Sequence, residues 1–412
     1  MMRSMSLAIS ALRNHQIFMD VISSNISNVN TTGYKGSRIG FQELLNQTLR
    51  GSSAPRGGLG GLNPIQIGLG MALAGVDTLF TQGNLQDTGK LTDLAIQGDG
   101  FFVLDNGENG YVYTRDGNLD MGLDGSLLNL ATGLYVQGWA ADEDGTIDTT
   151  QPLTSIRIPY GQSMARSTTA MDLRGNLDAS SIVGDTGTVT ASIYDSLGNA
   201  HDVEVTFTKS ASNQWTWSVS STDTAITGLT ASGTTINFDA DGSYAATNPA
   251  TSLAVTFGNG ADNTDVEFDF SNLTQLAGDG VSSLSTSNQN GLPPGELTSF
   301  NVSSSGQVVG VFSNGLNRTL GQLALATFIN PGGLLKEGQN LFSTSANSGT
   351  AQIGLPAVDG RGQISAGYLE MSNVELAQQF TNMIIAQRGF QANSRVITSS
   401  DEMLQDLVNL KR

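Results

Sequence analysis

The sequence predicts a multidomain α plus β protein, with N- and C-terminal helices forming a coiled coil and two mainly-β domains, the second inserted in the first. Apolar residues recur every three or four positions near both ends of the 412-residue chain. Between the ends, short segments alternate apolar and polar residues, as half-buried strands do. Charged residues make up only 14% of the chain and glycine accounts for 50 residues, which favours many turns.

The first helix is predicted over residues 1–29. Its apolar residues follow one another at spacings of three and four, with His15 as the only polar residue of the strip, and this pattern is typical of a helix that packs along one face. The Asn and Gly residues of segment 28–33 are expected to end the helix. The strip consists of Met5, Ala8, Leu12, His15, Met19, Ile22, Ile26 and Val29, and its predicted assembly residues are Met5, Ala8, Leu12, Met19, Ile22 and Ile26.

The second helix is predicted over residues 372–412, where an apolar residue recurs every seven positions. The companion positions of the same heptad are about half polar, so this helix has one strong and one mixed edge. Two terminal helices of this kind most simply pack on each other, and neighbouring copies are expected to cover the remaining apolar surface. The strip consists of Leu376, Phe380, Met383, Phe390, Ile397 and Leu404.

The middle of the chain is predicted to be β-rich. Alternation around Val189 and Val205, on either side of a turn at 195–199, predicts a hairpin. Residues 91–317 carry five basic and twenty-six acidic side chains, whereas residues 1–56 carry six basic and two acidic ones. The predicted division is an extended linker region at 30–70, an inner β-domain at 71–148 and 286–371, and an inserted acidic outer β-domain at 149–285.

Composition argues against most enzyme chemistries. The chain has no cysteine and only two histidines, His15 and His201, so common zinc, Ser-His-Asp and Cys-His sites lack their parts. His201 is expected to be a hydrogen-bonded surface residue, and the acidic segment 116–125 lacks the glycine and the final carboxylate of a calcium loop. We therefore predict no catalytic, cofactor-binding or metal-binding residues. The acidic middle argues against nucleic acid as a partner, and no apolar run is long enough to span a membrane.

Two long motifs resemble the flagellar rod and hook family of axial proteins. The first is Met19-Asp-Val-Ile-Ser-Ser-Asn-Ile-Ser-Asn-Val-Asn-Thr-Thr-Gly-Tyr-Lys-Gly-Ser-Arg38, and the second is the run from Ser372 to Asp401. Segments 94–103 and 113–118 resemble the shared β-domain of the family. Segments 193–201, 312–315, 325–334 and 338–342 are similar to its hook branch. The signature and linker-contact residues implied by this resemblance are Asn25, Asn28, Asn30, Thr32, Gly33, Lys35, Arg38, Asn373, Arg388, Asn393 and Arg395.

The resemblance implies a structural subunit that polymerises into the hook, a flexible curved tube that acts as a universal joint. Such a tube transmits motor torque to the filament and encloses the export channel. The helices would line the inner wall and the inserted domain would lie outermost. Basic residues of the linker, Lys35, Arg38 and Arg50, are then expected to meet acidic groups on neighbouring subunits.

The resemblance also implies partners and a location. The partners are further copies of the chain, the distal rod, the hook cap, the hook-filament junction proteins and the flagellar type III export apparatus. The expected location is the extracellular hook attached to the basal body, reached without a cleaved signal peptide. Two alternatives stay open at this point: a distal rod subunit of the basal body, and a secreted β-domain adhesin.

Overall fold

The computed structural model describes residues 2–55, 60–107, 110–142, 145–278 and 280–409. Two helices lie at the ends of the chain, α1 at Met2–Ser27 and α2 at Leu376–Asn409, and they pack together. Nearly all other regular structure is β, which confirms the predicted helical ends and β-rich middle. No helix within the described ranges has both the length and the apolar character that a membrane span requires.

The strands divide into those before, within and after the acidic middle of the chain. The strands of the first part are β1 Ser37–Glu43, β2 Asn46–Arg50, β3 Ile65–Gly68, β4 Met71–Thr78, β5 Leu85–Asp87, β6 Leu94–Gln97, β7 Phe101–Asp105, β8 Tyr111–Thr114, β9 Leu119–Met121, β10 Leu127–Asn129, β11 Tyr135–Ala140 and β12 Thr154–Ser155. The strands of the middle part are β13 Ser163–Arg166, β14 Ala170–Asn176, β15 Thr186–Tyr194, β16 Ala200–Ala211, β17 Gln214–Ser220, β18 Ile226–Ser232, β19 Thr235–Asn237, β20 Thr251–Phe257, β21 Thr264–Thr274, β22 Ser283–Gln289 and β23 Leu292–Val302.

The last part of the chain, like the first, consists mainly of strands. Its strands are β24 Gln307–Phe312, β25 Asn317–Leu323, β26 Leu325–Thr327, β27 Leu335–Gly338, β28 Leu341–Ser343, β29 Gln352–Gly354, β30 Gln363–Ala366 and β31 Tyr368–Glu370, with a short 3-10 helix at Pro331–Gly333. The chain forms two compact units. The first comprises residues 1–158, 301–309 and 319–412, and the second comprises 159–300 and 310–318.

In the first unit, an aromatic cluster forms the centre of the β-structure. Strand β7 pairs antiparallel with β8, β11 and β26, and its Phe101 and Val103 point into a core shared with Tyr113, Phe328 and Phe342. The Phe101 ring lies edge-on to Phe328 and Phe342, at centroid distances of 5.6 and 5.8 Å. These geometries are the favourable ones for aromatic pairs. They give the first unit a rigid β-scaffold.

The second unit contains a five-stranded sheet, in the order β18-β20-β21-β14-β22, and a four-stranded sheet, in the order β15-β16-β17-β19. Residues of β15 and β16 alternate between buried and exposed, and the two strands pair antiparallel with Val189 opposite Val205, as the sequence predicts. Both sheets contribute to one apolar core that includes Phe207, Trp217 and Phe270. This period-two burial is what holds each strand in register.

The prediction for His201 is wrong in one respect, because the side chain is buried at 3% exposure rather than at the surface. Its Nδ1 lies 2.6 Å from Asp223 Oδ2, and its Nε2 lies 3.1 Å from Asp195 Oδ2. Burial alone would lower the pKa of His201, but the two carboxylates outweigh it and raise the pKa above the ordinary 6.5. Burial would raise the pKa of Asp195, yet its bonds to Asn199, His201 and Asn259 lower that pKa to about 2.

We expect the stability of the second unit to fall as pH rises above neutrality. Because the folded pKa of His201 exceeds the unfolded one, its contribution is complete below the unfolded pKa and is lost as pH rises through the folded pKa. The loss is about 1.4 kcal/mol for each pH unit that separates the two pKa values. This loss is measured by unfolding the protein in urea between about pH 6 and pH 9 and monitoring the second unit by hydrogen exchange. The variant His201→Gln should lack this slope; an equal slope in both proteins would contradict the assignment.

Candidate assembly surface and the junction that holds it

The two ends of the chain meet at a junction in the first unit. Asn25 lies in the last turns of α1, and its side chain is buried. Its Oδ1 accepts hydrogen bonds from the Ser37 amide at 2.9 Å and the Tyr34 hydroxyl at 3.3 Å. Its Nδ2 donates to the Ser37 carbonyl at 2.8 Å and to Gln379 Oε1 at 3.3 Å. One amide therefore joins α1, the start of β1 and α2.

Asn373 makes the matching connection from the other end of the chain. Its Oδ1 accepts a hydrogen bond from the Gly36 amide at 2.8 Å, and its Nδ2 donates to the carbonyls of Leu79 and Thr81 at 2.8 and 3.1 Å. The segment that leads into α2 is therefore fixed to both chain segments at the base of the pair β1 and β4. One side chain thus connects the start of α2 with the backbone at the start of β1 and after the end of β4.

Three charged side chains lie buried beside these two asparagines. Lys35 Nζ is 2.6 Å from Glu370 Oε1 and donates a second hydrogen bond to the Thr81 carbonyl at 2.9 Å. Arg115 Nη1 donates to Glu370 Oε2 at 3.4 Å, and the Gly83 amide donates to Glu370 Oε1 at 2.9 Å. The side chains of all three charged residues are almost completely excluded from solvent. We call Lys35, Arg115 and Glu370 the charge cluster.

The carboxylate of the cluster compensates two cations. Burial lowers the pKa of Lys35 and of Arg115, and the charge and hydrogen bonds of Glu370 oppose that effect in both cases. Asp99 adds a smaller favourable field at both groups. Desolvated charges are tolerated only when they are paired and hydrogen-bonded, so Glu370 is the residue on which the cluster depends.

A glycine in the N-terminal motif, Gly33, lets residues 32–33 approach Asp116 of the first unit closely. Gly33 has φ of +66°, and a Cβ at this position would lie 2.6 Å from the backbone nitrogen of Asp116. The neighbouring Thr32 donates a hydrogen bond to Asp116 Oδ1 at 2.8 Å, and the Gly33 amide donates to the Glu370 carbonyl at 2.8 Å. Glycine is therefore required here both by the backbone angle and by the available space.

The structure corrects the hypothesis for Lys35. Its ammonium group is buried and paired within the chain, so it cannot meet an acidic group on a neighbouring subunit. Arg38 is exposed, and its Nη2 lies 3.5 Å from Asp77 Oδ2 of the paired strand. Arg50 is exposed and donates to the Asn63 carbonyl at 3.5 Å. Such exposed contacts are weak, which leaves both arginines accessible to other molecules.

The other signature residues lie on or near the helices. Asn28 donates to the Ser24 carbonyl at 2.9 Å and accepts from the Thr31 hydroxyl at 3.2 Å, so it caps the end of α1 locally. Asn393 donates to the Gly389 carbonyl, one turn earlier in α2, at 2.8 Å. The remaining three are exposed: Asn30, Arg388 and Arg395.

The two helices run antiparallel. Ser4 lies against Ser400, with 3.5 Å between the hydroxyl oxygens, and Asn25 lies against Gln379. Within the predicted strips, Ala8 and Ile22 are buried. Half-buried members of the strips are Met5, Leu12, Met19, Ile26, Met383, Ile397 and Leu404, whereas the exposed members are Leu376, Phe380 and Phe390.

Helix α2 leaves most of its apolar surface uncovered. Among its described side chains, only Ala386 and Ser400 are buried. The large side chains of Leu376, Phe380, Ile384 and Ile385 are exposed to between 41 and 58%. We call these four residues the α2 apolar face. Leu376, Phe380 and Ile384 recur at spacings of four and form one row, with Ile385 on the adjoining side of the helix. An exposed apolar surface of this kind marks an interaction site in a soluble protein.

The predicted linker region is a paired structure rather than a simple extension. Strand β1 pairs antiparallel with β4, and β2 pairs antiparallel with β3, so residues 37–50 and 65–78 form one long ribbon. The Asn14 amide of α1 donates to the Met71 carbonyl at 2.7 Å and fixes the helix to the ribbon. Beyond that contact the ribbon exposes Leu45, Leu49, Ile65, Ile67 and Leu69. An isolated two-stranded ribbon with such a surface is marginally stable in water.

Sequence reasoning did not single out two residues of the junction, Arg115 and Glu370. Arg115 stands inside segment 113–118, and Glu370 stands two residues before the C-terminal motif, so position in or near a motif was the available signal. A single carboxylate among 37 acidic residues carries no mark of burial. Among the described residues, no three His, Asp or Glu side chains converge as a metal site.

Comparisons with known proteins agree with this architecture. Residues 5–35 match the family model "Flagella basal body rod protein", and residues 365–410 match "Flagellar basal body rod FlgEFG protein C-terminal". Residues 95–191 match "Flagellar hook protein FlgE/F/G D1 domain", and residues 178–292 match "Flagellar basal body protein FlaE D2 domain". A crystal structure of the Helicobacter pylori flagellar hook protein FlgE2 matches 69% of this chain and 100% of its own with a TM-score of 0.50, at 14% identity, which supports the fold.

Similar sequences cover the whole chain. The flagellar hook protein FlgE of Borreliella burgdorferi is 39% identical over 447 aligned residues, and that of Treponema pallidum is 37% identical over 467, each with full coverage of both chains. The FlgE of Salmonella typhimurium is 33% identical over 99% of this chain and 100% of its own. Full-length similarity at this level, together with four matching family models, shows that the chain belongs to the flagellar hook protein family and is a structural subunit of the bacterial flagellum rather than an enzyme.

Proposed function

We propose that this subunit polymerises by burying the α2 apolar face and the exposed part of the ribbon against neighbouring copies. The observation that carries the proposal is the exposure of Leu376, Phe380, Ile384 and Ile385 on one helix. Full burial of a large apolar side chain contributes about 1.5–3 kcal/mol, and each of these is about half exposed. Covering all four should therefore contribute about 4 kcal/mol to each contact.

The ribbon offers a second exposed apolar surface. Gln47 lies opposite Ile67, and Leu45 opposite Leu69, on one face, whereas Asn46 and Thr48 belong to the other face. Exposed Arg50 stands within β2 beside this surface, whereas exposed Arg38 stands near the start of β1, and both are candidates for the ion pairs with neighbouring subunits that Lys35 cannot make. The proposed contacts therefore combine apolar burial with charges at their periphery.

In the proposed assembly, residues 1–29 and 372–412 form a coiled coil that lines the inner wall of the tube. Residues 30–70 connect the layers, the β-domain of 71–148 and 286–371 lies outside them, and the inserted acidic domain of 149–285 lies outermost. Support comes from the antiparallel helix pair and from the concentration of acidic residues in the middle of the chain. A strongly acidic outer layer keeps the polymer solvated.

The further partners follow from the hook role. We infer contacts with the distal rod at one end and with the hook cap and the hook-filament junction proteins at the other. The chain is proposed to reach the extracellular hook through the flagellar type III export apparatus without a cleaved signal. Support for this point is that apolar segment 5–12 is part of α1, where Ala8 is buried in the fold.

The test is electron microscopy of the full-length chain under salting-out conditions. We expect curved tubes from the unmodified chain and none from Phe380→Asp/Ile384→Asp, because two carboxylates would have to be buried at the contact. A matched control is Leu123→Asp, at a fully exposed position in the turn between β9 and β10, which should form tubes. Circular dichroism must show equal helix content in all three proteins. Tubes from the double variant would refute the proposal, and straight tubes from the unmodified chain would favour a rod-like polymer.

A further inference from the structure

Three contacts along the helix pair define one register. Ser4 faces Ser400, His15 faces Gly389 and Asn25 faces Gln379. Successive contacts are eleven and then ten residues apart on α1, and they have the same separations on α2. The helices therefore keep the same alignment over six turns.

The central contact differs from the other two because it is steric. A Cβ at Gly389 would lie 2.7 Å from both Cε1 and Nε2 of the His15 ring, so the imidazole occupies the space that a side chain would need. On its other side the ring lies near Phe41 of β1, at a centroid distance of 6.5 Å. The His15 ring is thus held between α2 and the ribbon.

The two outer contacts between the helices select a register only weakly by themselves, and the junction holds the helices at the Asn25 end alone. The Ser4 and Ser400 oxygens are 3.5 Å apart, and the Asn25 and Gln379 amide groups are 3.3 Å apart, so both bonds are long. The apolar strips repeat every three or four residues, and a shift by one turn places apolar side chains together again. Such a shift would bring the His15 ring against Ile385 or Asn393, whose side chains would occupy its space.

The polar His15 ring also destabilises the helix pair to some extent. Its Nδ1 is buried and has no hydrogen-bond partner among the described residues. A buried polar atom without a partner destabilises a fold, so an apolar residue at this position would pack at lower cost. Single polar residues in an otherwise apolar helix seam are known to select register at the expense of stability.

We propose that the His15 ring and the gap at Gly389 set the antiparallel register of the two terminal helices. The inference concerns the folded chain, and it rests on the proposed function only for its consequence. Register decides which α2 residues lie beside the ribbon and which are displayed to neighbouring copies. A slipped pair would present a displaced apolar face, so the contact acts as a positioning device for assembly.

The absence of cysteine from the sequence allows a direct test by disulfide formation. The reporter of the observed register is Ser4→Cys/Ser400→Cys, and the reporter of a one-turn slip is Ser4→Cys/Val396→Cys, both in the full-length chain. We expect the yield of intrachain disulfide to be about tenfold higher for the first pair than for the second. A ratio of this size corresponds to a moderate energetic preference for the observed register. Only the intrachain product is counted, and its mass separates it from interchain dimers, so the result does not depend on tube formation.

Two variants then test the ring and the gap. His15→Ala removes bulk without creating a clash, and it should reduce the preference to about twofold or less. The exchange His15→Gly/Gly389→His returns the ring to the seam from the other helix and should restore the preference. An unchanged ratio in His15→Ala overturns the proposal, as does an exchange variant of full helix content that fails to restore it.

Discussion

Glu370→Gln is expected to destabilise the first unit by about 3–5 kcal/mol, the usual effect of breaking a buried ion pair. The substitution preserves the shape of the side chain but removes the charge that compensates Lys35 and Arg115. An amide nitrogen would also replace one of the oxygens that accept hydrogen bonds from these two groups. The two cations would then remain buried without a counterion, which is the most costly state of the cluster.

Hydrogen exchange with increasing urea measures this effect, because peptides of the first and second units are resolved separately. The matched control is Asp77→Asn, which breaks the exposed contact with Arg38 and should cost less than about 1 kcal/mol. The second unit should be unchanged in both variants. If Glu370→Gln were no more harmful than Asp77→Asn, the charge cluster would not be what holds the junction together.

Asn25→Leu should destabilise the first unit by about 2–4 kcal/mol, since buried polar groups that lose their partners cost about 1–3 kcal/mol each. The leucine keeps a side chain of similar size but removes both bonds to the Ser37 backbone and the bonds to Tyr34 and Gln379. Because the lost bonds connect α1 with β1 and α2, we expect exchange to increase first at the junction.

Asn28→Leu is the control for this prediction. Asn28 belongs to the same signature, but its bonds reach only Ser24 and Thr31 of the local chain, so the cost should stay near 1 kcal/mol. Tube formation under salting-out conditions should fail for Asn25→Leu at temperatures where Asn28→Leu still assembles. Equal stability of the two variants would show that Asn25 is not a structural connection.

The charge cluster shows where sequence reasoning stopped. Lys35 stands inside the N-terminal motif, which indicated that it has a role. Because lysine is usually exposed, the sequence favoured a contact between subunits. Lys35 and Glu370 are 335 positions apart in the chain, and no local pattern announces that two such groups meet in the interior. Burial is a property of the folded chain, so the sequence does not distinguish a buried lysine from an exposed one.

The helices show the complementary case. Residue spacing alone was sufficient to predict α1 and α2, because helix geometry repeats every 3.6 residues and an apolar strip must be covered by something. The same spacing could not say which part of the strip the chain covers itself. Ala8 and Ile22 are buried within the chain, whereas Phe380 and Phe390 are exposed, although all four belong to the predicted strips.

The sequence by itself therefore determined the helical ends, the alternating strands of the middle and the family, since these depend on local periodicity and on contiguous motifs. Tertiary structure alone decided that Lys35 is internal, that Arg115 and Glu370 complete its environment, and that residues 37–50 and 65–78 form a ribbon with an uncovered apolar surface. The physical reason is that periodicity fixes which face of an element is apolar, whereas contacts between residues distant in the chain fix what covers that face.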